Sequence, residues 1–329
     1  MRSGLSARTL LIALAFVTAV VSRPAAADDQ QACLEGSKHA NAETIAACTR
    51  AIQSGDYSEQ ELAALYHARG YSWSSTSFTD RTDRALKDYS DAIRANPNSG
   101  GSLLNRAHIY NQWHDYDRAI ADVNQAFEAG LAGYGKQIGF SERGYAYQLK
   151  GDYDRAIVDY TVGIQLNANN YVAFTSRCSA YFAKGDLDRA IADCSQAIAL
   201  RPNYKDAYFN RGQAYDTKGE LDYAIADYDR AIALDPNYWQ VYGRRAIAHL
   251  NRGEFRDAIA DFTLWQLLFG LGGIILVVAL VWICCRSDSP ALGLSQRVIE
   301  ICEQELAELQ HRNAALEKIA AALEKHSSG

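Results

Sequence analysis

Between Lys205 and Asn237 the apolar and small positions fall at steps of three and four, the spacing that places side chains on one face of a helix. Tyr208, Gly212 and Tyr215 share a face of one such stretch, and Ala224, Tyr228 and Ala231 share a face of a second, with a turn around Lys218 and Gly219 between them. Small residues at Gly212, Ala224 and Ala231 let two helix backbones approach closely while the tyrosines fill the space beside them. Pro236 ends the second helix. The pattern predicts a helix hairpin. It returns six times, in units opening at Ala63, Gly100, Gln137, Tyr171, Lys205 and Trp239, at spacings of 37, 37, 34, 34 and 34 residues. A fixed period of this length marks units too small to bury an apolar face alone, so they must stack. The expected fold class is all-α, with residues 63–263 forming an α-solenoid of helix-turn-helix units.

The order of residues within a unit is large, small, aromatic, Ala, aromatic, Ala, Pro. The unit at Tyr171 supplies Phe174, Cys178, Tyr181, Ala190, Cys194, Ala197 and Pro202, and the unit at Gln137 supplies Phe140, Gly144, Tyr147, Ala156, Tyr160 and Gly163. This resembles the tetratricopeptide repeat family. The first unit carries three extra residues after Trp73, the second carries three around Leu131 to Lys136, Ala168 stands where proline is usual, and the last unit stops before its second small residue. The resemblance implies a right-handed solenoid whose first helices line an inner surface for extended peptides, often through asparagines beside a recurring arginine. Those places hold Ala68, Asn105, Glu142, Ser176, Asn210 and Arg244, so only Asn105 and Asn210 match. With neighbours one turn along, the expected partner-binding set is Asn105, His108, Asn111, Tyr145, Gln148, Asn210, Gln213, Asp216 and Arg244. Upstream, Thr44 to Ile52 echoes Ala190 to Ile198, so residues 28–62 are expected to contain a lone capping helix.

Every unit has an arginine just before the small residue of its first helix and an aspartate just before the aromatic or equivalent residue of its second. The pairs are Arg69 with Asp88, Arg106 with Asp122, Arg143 with Asp159, Arg177 with Asp193, Arg211 with Asp227 and Arg245 with Asp261. Across an antiparallel hairpin a guanidinium can hold a carboxylate bidentately, which predicts a structural ladder; a ligand-binding arginine row is the rival. Asp115-Tyr116-Asp117, Asp152-Tyr153-Asp154 and Asp186-Leu187-Asp188 look like metal or transferase dyads, but each lies at the start of a second helix, where aspartate accepts free backbone N–H bonds. The histidines His39, His67, His108, His114 and His249 show no metal spacing, and no phosphate loop or Ser-His-Asp set can be assembled. No catalytic residue, cofactor or metal is expected. A net charge of -6 argues against a nucleic-acid partner.

The two ends carry different signals. Residues 1–27 combine Arg2 and Arg8, an apolar run from Leu10 to Val21 and Ala25-Ala26-Ala27, the layout of a secretory signal peptide with cleavage after Ala27. From Leu264 to Cys285 there is no charge over 22 residues. As a helix that stretch extends about 33 Å against a hydrocarbon core of about 30 Å, so a transmembrane helix is expected over 264–285. After a linker at 286–295, Ile299, Cys302, Leu306, Leu309, Asn313, Leu316, Ala320 and Leu323 recur at heptad spacing, which predicts a coiled-coil helix over 296–326 and a homodimer through it. An amphipathic helix on the membrane is the alternative for that tail. Export followed by a stop-transfer span places the solenoid in the periplasm and the tail in the cytoplasm of a bacterial inner membrane. Four cysteines then lie on the oxidising side, and the pairs Cys33–Cys48 and Cys178–Cys194 are expected as disulfides, with buried free thiols as the alternative for the second pair.

The sequence therefore describes a non-enzymatic adaptor for a protein or peptide partner, held in the lipid bilayer by one span. Its rivals are a receptor coupling a periplasmic ligand to a cytoplasmic coiled coil, and an accessory subunit of an envelope export or glycosyl-transfer complex.

Overall fold

A computed structural model of the chain describes residues 25–36, 41–55, 57–75 and 80–269. Among the described residues there are fourteen α-helices and no strands. They run as α1 (Ala25–Gly36) and α2 (Ala42–Ser54), α3 (Glu59–Ser74) and α4 (Arg81–Ala95), α5 (Gly100–Gln112) and α6 (Tyr116–Glu128), and α7 (Gly133–Leu149) and α8 (Tyr153–Leu166). Then follow α9 (Tyr171–Ala183) and α10 (Leu187–Leu200), α11 (Lys205–Lys218) and α12 (Leu221–Leu234), and α13 (Trp239–Arg252) and α14 (Phe255–Phe269). The chain divides into two compact units, Met1–Ala180 and Tyr181–Gly329, with the division inside α9.

In the first unit α3 packs on α4, α5 on α6 and α7 on α8, and in the second α11 packs on α12 and α13 on α14. The small-against-aromatic pattern is what closes these hairpins. A Cβ placed on Gly144 would lie 2.8 Å from Tyr160 Cε1, and one on Gly212 would lie 2.7 Å from Tyr228 Cε1, so any larger residue forces the tyrosine away. Tyr89, Tyr160 and Tyr228 are correspondingly buried. Between hairpins, Leu103, Leu104, Val123, Ala126 and Ala146 join α5, α6 and α7 in one core cluster, and Ala224, Tyr228, Val241 and Ala248 join α12 to α13 in another.

The turns follow from local chemistry. Asp115, Asp152 and Asp186 accept the backbone N–H groups of Arg118, Arg155 and Arg189 at 3.2 Å, so the three aspartate dyads are helix caps. Gly151, Gly185, Gly219 and Gly253 adopt φ between 78° and 83° ahead of the second helices, and His114 takes the same place at φ 59°. That is an uncommon conformation for a residue with a Cβ. At Ala168, where proline is usual, Asn167 Oδ1 accepts from Asn169 N at 3.0 Å, the same turn that Asn96 and Asp235 make around Pro97 and Pro236, and Asn170 Oδ1 accepts from Ala173 N at 3.1 Å.

Two boundaries differ from the sequence expectation. The capping helix is not alone, because α2 packs against α1 and the disulfide Cys33–Cys48 ties the pair together. Residues 25–36 have no clear apolar stripe, so periodicity gave no sign of a helix that is fastened covalently and by Arg50 on Asp29, 2.7 Å apart. The first helices α3 and α7 also begin earlier than their units, at Glu59 and Gly133 rather than 63 and 137. At α3 a capping box between Ser58 and Glu61 fixes the early start.

Among the described residues no helix is long and apolar enough to cross a membrane. The helix α14 contains the first six residues of the uncharged stretch 264–285. The remainder of that stretch, the linker 286–295 and the heptad segment 296–326 lie outside the described residues, as do residues 1–24 of the expected leader.

Candidate functional site

The arginine–aspartate ladder is present in five of its six expected rungs as bidentate pairs. In each, Nε and Nη2 of the arginine donate to the two carboxylate oxygens: Arg69 to Asp88 at 2.8 and 2.8 Å, Arg106 to Asp122 at 2.7 and 2.7 Å, and Arg143 to Asp159 at 2.8 and 2.8 Å. Arg211 holds Asp227 at 2.8 and 2.7 Å, and Arg245 holds Asp261. The sixth expected pair, Arg177 and Asp193, has one member in each compact unit, and Asp193 is buried like the other five aspartates. The partner carboxylate holds the guanidinium of Arg106, Arg143 and Arg211 above its ordinary range, with burial acting in the opposite direction.

Each of these arginines has a third arm that the sequence reading missed. Nη1 reaches the preceding second helix: Thr49 for Arg69, Ser90 for Arg106, Asn124 for Arg143, Thr161 for Arg177, Ser195 for Arg211 and Asp229 for Arg245. One side chain thus fixes the register inside a hairpin and ties that hairpin to its predecessor. In the five bidentate rungs each of the three guanidinium nitrogens donates a hydrogen bond inside the fold, which supports the structural role over a ligand-binding row.

The first-helix residues proposed to face a partner divide into engaged and open groups. In the first compact unit, Asn111 is 3 % exposed and donates to Glu142 O at 3.1 Å and Glu142 Oε2 at 2.9 Å. His108 Nδ1 stands 3.0 Å from Glu142 Oε1, and this contact raises its pKa against burial. Gln148 donates to Ser179 at 3.0 Å and accepts from Tyr160 at 3.0 Å. Asn105 is half-buried beside the Tyr89 hydroxyl, whose pKa burial pushes up to about 12 while Ser74 and Asn105 pull it back. Tyr145 is exposed, at 47 %, and His108 is exposed too, although its ring is engaged by Glu142.

The second compact unit is different. A groove of about 380 Å³ opens between α11, α13 and α14, lined by Phe209, Gln213, Trp239, Gln240, Arg244 and Ile247 among others. Gln213 and Arg244 are therefore brought together, with Asn210 and Asp216 on the same helix as Gln213. Burial raises the Asp216 carboxyl above the usual carboxylate range, and Arg244 pulls it down. Arg244 is exposed and Gln240 is exposed, so the groove offers a cation and two amides above an aromatic floor. Its lining can donate and accept hydrogen bonds and can pack an apolar side chain.

Residues 101–129 and 206–238 match the tetratricopeptide repeat, and residues 179–219 match the TPR repeat. This is a tetratricopeptide-repeat protein. No curated protein matches the sequence. Among solved structures, the APC/C hetero-tetramer Cut9-Hcn1 is 15% identical over 79% of this chain and 48% of that chain, with a TM-score of 0.56, a likeness in fold. YrrB, described as a TPR protein with an unusual peptide-binding site, is 22% identical over 61% of this chain and 96% of its own, with a TM-score of 0.48. The first TPR of Spaghetti (RPAP3), bound to an HSP90 peptide, is 32% identical over 37% of this chain and 97% of its own, with a TM-score of 0.36.

Within this tetratricopeptide-repeat chain one further cluster was invisible to spacing arguments. His249, Glu254 and Asp257 bring their ligand atoms within 4.8 Å of one another where α13 turns into α14. His249 Nδ1 and Glu254 Oε2 already bond to each other at 2.7 Å, an arrangement that closes the turn without an ion.

Proposed function

We propose that the protein is a non-enzymatic adaptor that captures a protein or peptide segment on the first-helix face of its second compact unit. The observation that carries this reading is the open groove beside Gln213, Gln240 and Arg244, in contrast to Asn111, His108 and Gln148 of the first unit, which are engaged by Glu142 and Ser179. Tetratricopeptide repeats are scaffolds for protein–protein interaction, and here the amides suit a peptide backbone while the aromatic floor suits an apolar side chain. The segment 264–285, proposed as a membrane span, displays the repeats on the outer face of a bacterial cytoplasmic membrane, and the heptads at 296–326 pair two copies on the inner side. Replacing Asn210, Gln213 and Arg244 with alanine should weaken capture of a crosslink-identified partner by roughly 1 to 3 kcal/mol without changing the helical content. Unchanged capture, with loss on alanine substitution of Asn105 and Tyr145 instead, would move the site to the first unit.

A receptor reading is favoured by one observation: α14 runs without a break from the last repeat to Phe269, inside the uncharged stretch. Under it, deleting residues 296–329 abolishes a cytoplasmic output and leaves capture intact. An adaptor without signalling shows no such output to lose.

A further inference from the structure

We infer that the captured segment is an amphipathic helix of another protein, which docks on α13 and α14 as a further first helix of the stack. The inference rests on the groove of the second compact unit as the capture site. In the earlier hairpins one residue of the second helix is closed over by the next first helix. Tyr89 shares a core cluster with Ile109, Val123 with Ala146, Tyr160 with Ala180 and Tyr228 with Ala248. Those four second-helix residues are at most 2 % exposed. Phe262 stands thirty-four residues after Tyr228, in the same place, yet it is only half-buried and lines the groove. Among the described residues no further helix follows to cover it.

This edge is apolar where earlier edges are polar. In α5, His108 and Asn111 bond to Glu142 of the next first helix, and in α7 Gln148 bonds to Ser179. The corresponding places in α13 hold Ile247, 42 % exposed, and Leu250. Gly243 has no side chain where α5 has Leu104 and α11 has Phe209, which deepens the groove. An extended strand laid on Gly243, Ile247 and Phe262 would turn backbone N–H and C=O groups toward apolar side chains, at a cost for each group left unpaired. A helix satisfies its own backbone and offers only side chains.

The repeats specify what such a helix carries. Each later first helix presses two small or short apolar residues, seven apart, onto the hairpin before it: Gly139 and Ala146 in α7, Ala207 and Ala214 in α11, Val241 and Ala248 in α13, all buried. His67 Nδ1 stands 2.9 Å from Ser102 Oγ, so the first turn of a following helix lies beside the place that Gly243 holds in α13. Arg244 adjoins it, is exposed, and forms no ion pair or hydrogen bond among the described residues, although Asp216 feels its charge. A carboxylate in the first turn of the docking helix meets that cation, and the same charge suits a helix N-terminus. Gln240 can accept from the free N–H groups of that turn. The tail's Ala314 and Ala321 have the same spacing, but the proposed span sets them on the other side of the membrane.

The test uses the full chain in phosphatidylcholine nanodiscs, with empty nanodiscs as the blank, and a fluorescein-labelled peptide copying Lys205–Lys218, which carries Asp206, Ala207 and Ala214 in the required order. A hydrocarbon staple replaces Tyr208 and Gly212, which pack on α12 in the protein, and holds the peptide helical. Anisotropy should show saturable binding, weakened at least about ten-fold by Ala214→Glu in the stapled peptide or by Asn210→Pro in an unstapled copy. Ile247→Glu in the protein should abolish binding and leave the helical content unchanged, because Ile247 is exposed. Equal binding of the Asn210→Pro peptide overturns the helix and keeps the groove. So does absence of peptide binding while the alanine variant at Asn210, Gln213 and Arg244 still loses its captured partner. Binding that appears only after deletion of 296–329, or a dimer that dissociates on Ile247→Glu, gives this face to the chain's own tail or to a second copy and overturns an external helix. Peptide binding indifferent to both Ile247→Glu and the alanine variant overturns the groove and the helix together.

Discussion

Removing Arg211 should cost more than removing the aspartate it holds. Its Nε and Nη2 donate to Asp227 at 2.8 and 2.7 Å, and its Nη1 donates to Ser195 at 3.0 Å. The side chain of Asp227 is 8% exposed and that of Arg211 is 21% exposed. Arg211→Ala therefore strands a buried carboxylate, and breaking such a pair costs about 3 to 5 kcal/mol. The lower end applies, because the guanidinium site is open enough for water to follow. Asp227→Ala leaves a cation that keeps Ser195 and can turn toward solvent, a loss of about 2 kcal/mol. Ser195→Ala removes one arm at about 1 kcal/mol.

Stacked repeats open locally, so a single global melting point blurs the effect of one rung. Amide hydrogen exchange on the full chain, read on peptides from α11 and α12, gives the local opening free energy. The double variant Arg211→Ala/Asp227→Ala should lose at least about 1 kcal/mol less than the sum of the singles, because the pair is already broken. Arg211→Lys should recover little of the loss, since an ammonium cannot span both carboxylate oxygens and the serine. Additive singles, or a larger loss from Asp227→Ala than from Arg211→Ala, would refute the ladder as argued.

Two further outcomes follow from the same geometry. In three hairpins a glycine of the first helix faces a tyrosine of the second, Gly70 with Tyr89, Gly144 with Tyr160 and Gly212 with Tyr228, and Cys178 and Cys194 hold those two places in the fourth and are fully buried. Mass mapping without reduction should therefore find Cys178 joined to Cys194 beside the Cys33–Cys48 bridge, and an alkylatable Cys178 would contradict the register. His67, whose pKa burial lowers, and His108, whose pKa Glu142 raises, should titrate by NMR on opposite sides of about 6.5. Stability from neutral His67 is complete above about 6.5 and falls as pH drops toward its folded pKa, whereas stability from protonated His108 is complete below about 6.5 and is lost as pH rises through its folded pKa. Co-titration of the two rings would refute both assignments.

The repeat and the ladder were legible because each depends on residue types that return at a fixed period. Arg106 and Asp122, like Arg211 and Asp227, occupy the same places whatever the insertions between units. The third arm of the ladder was not legible, since Thr49, Ser90, Asn124, Thr161, Ser195 and Asp229 share only the ability to accept a hydrogen bond. A polar residue two places after each ladder aspartate was nevertheless a readable signal. The helix α1 was hidden for another reason, because its place is held by the Cys33–Cys48 bridge rather than by a stripe of apolar residues. The binding face was legible only in part. Family resemblance selects positions on the first helix, but whether Asn111 or Gln148 is open depends on Glu142 and Ser179 of the next first helix, about 31 residues away in sequence.

The buried tyrosines explain which of those positions can serve a ligand. A tyrosine hydroxyl inside a hairpin needs a partner, and it finds one among first-helix residues that would otherwise face outward. Tyr160 donates to Gln148 at 3.0 Å, and Tyr89 lies beside Asn105, so two of the candidate amides of the first unit are occupied by the core itself. Asn210 stands sixteen residues after Cys194, the same step that separates Tyr89 from Asn105, and a cysteine has no hydroxyl to satisfy. Its amide is released for another use. In the hairpin of α11 and α12 the corresponding hydroxyl, that of Tyr228, meets Asp216, a first-helix carboxylate that burial raises above its usual range. Gln213 and Arg244, which bond to no buried tyrosine hydroxyl among the described residues, line the groove instead and stand where a partner can reach them.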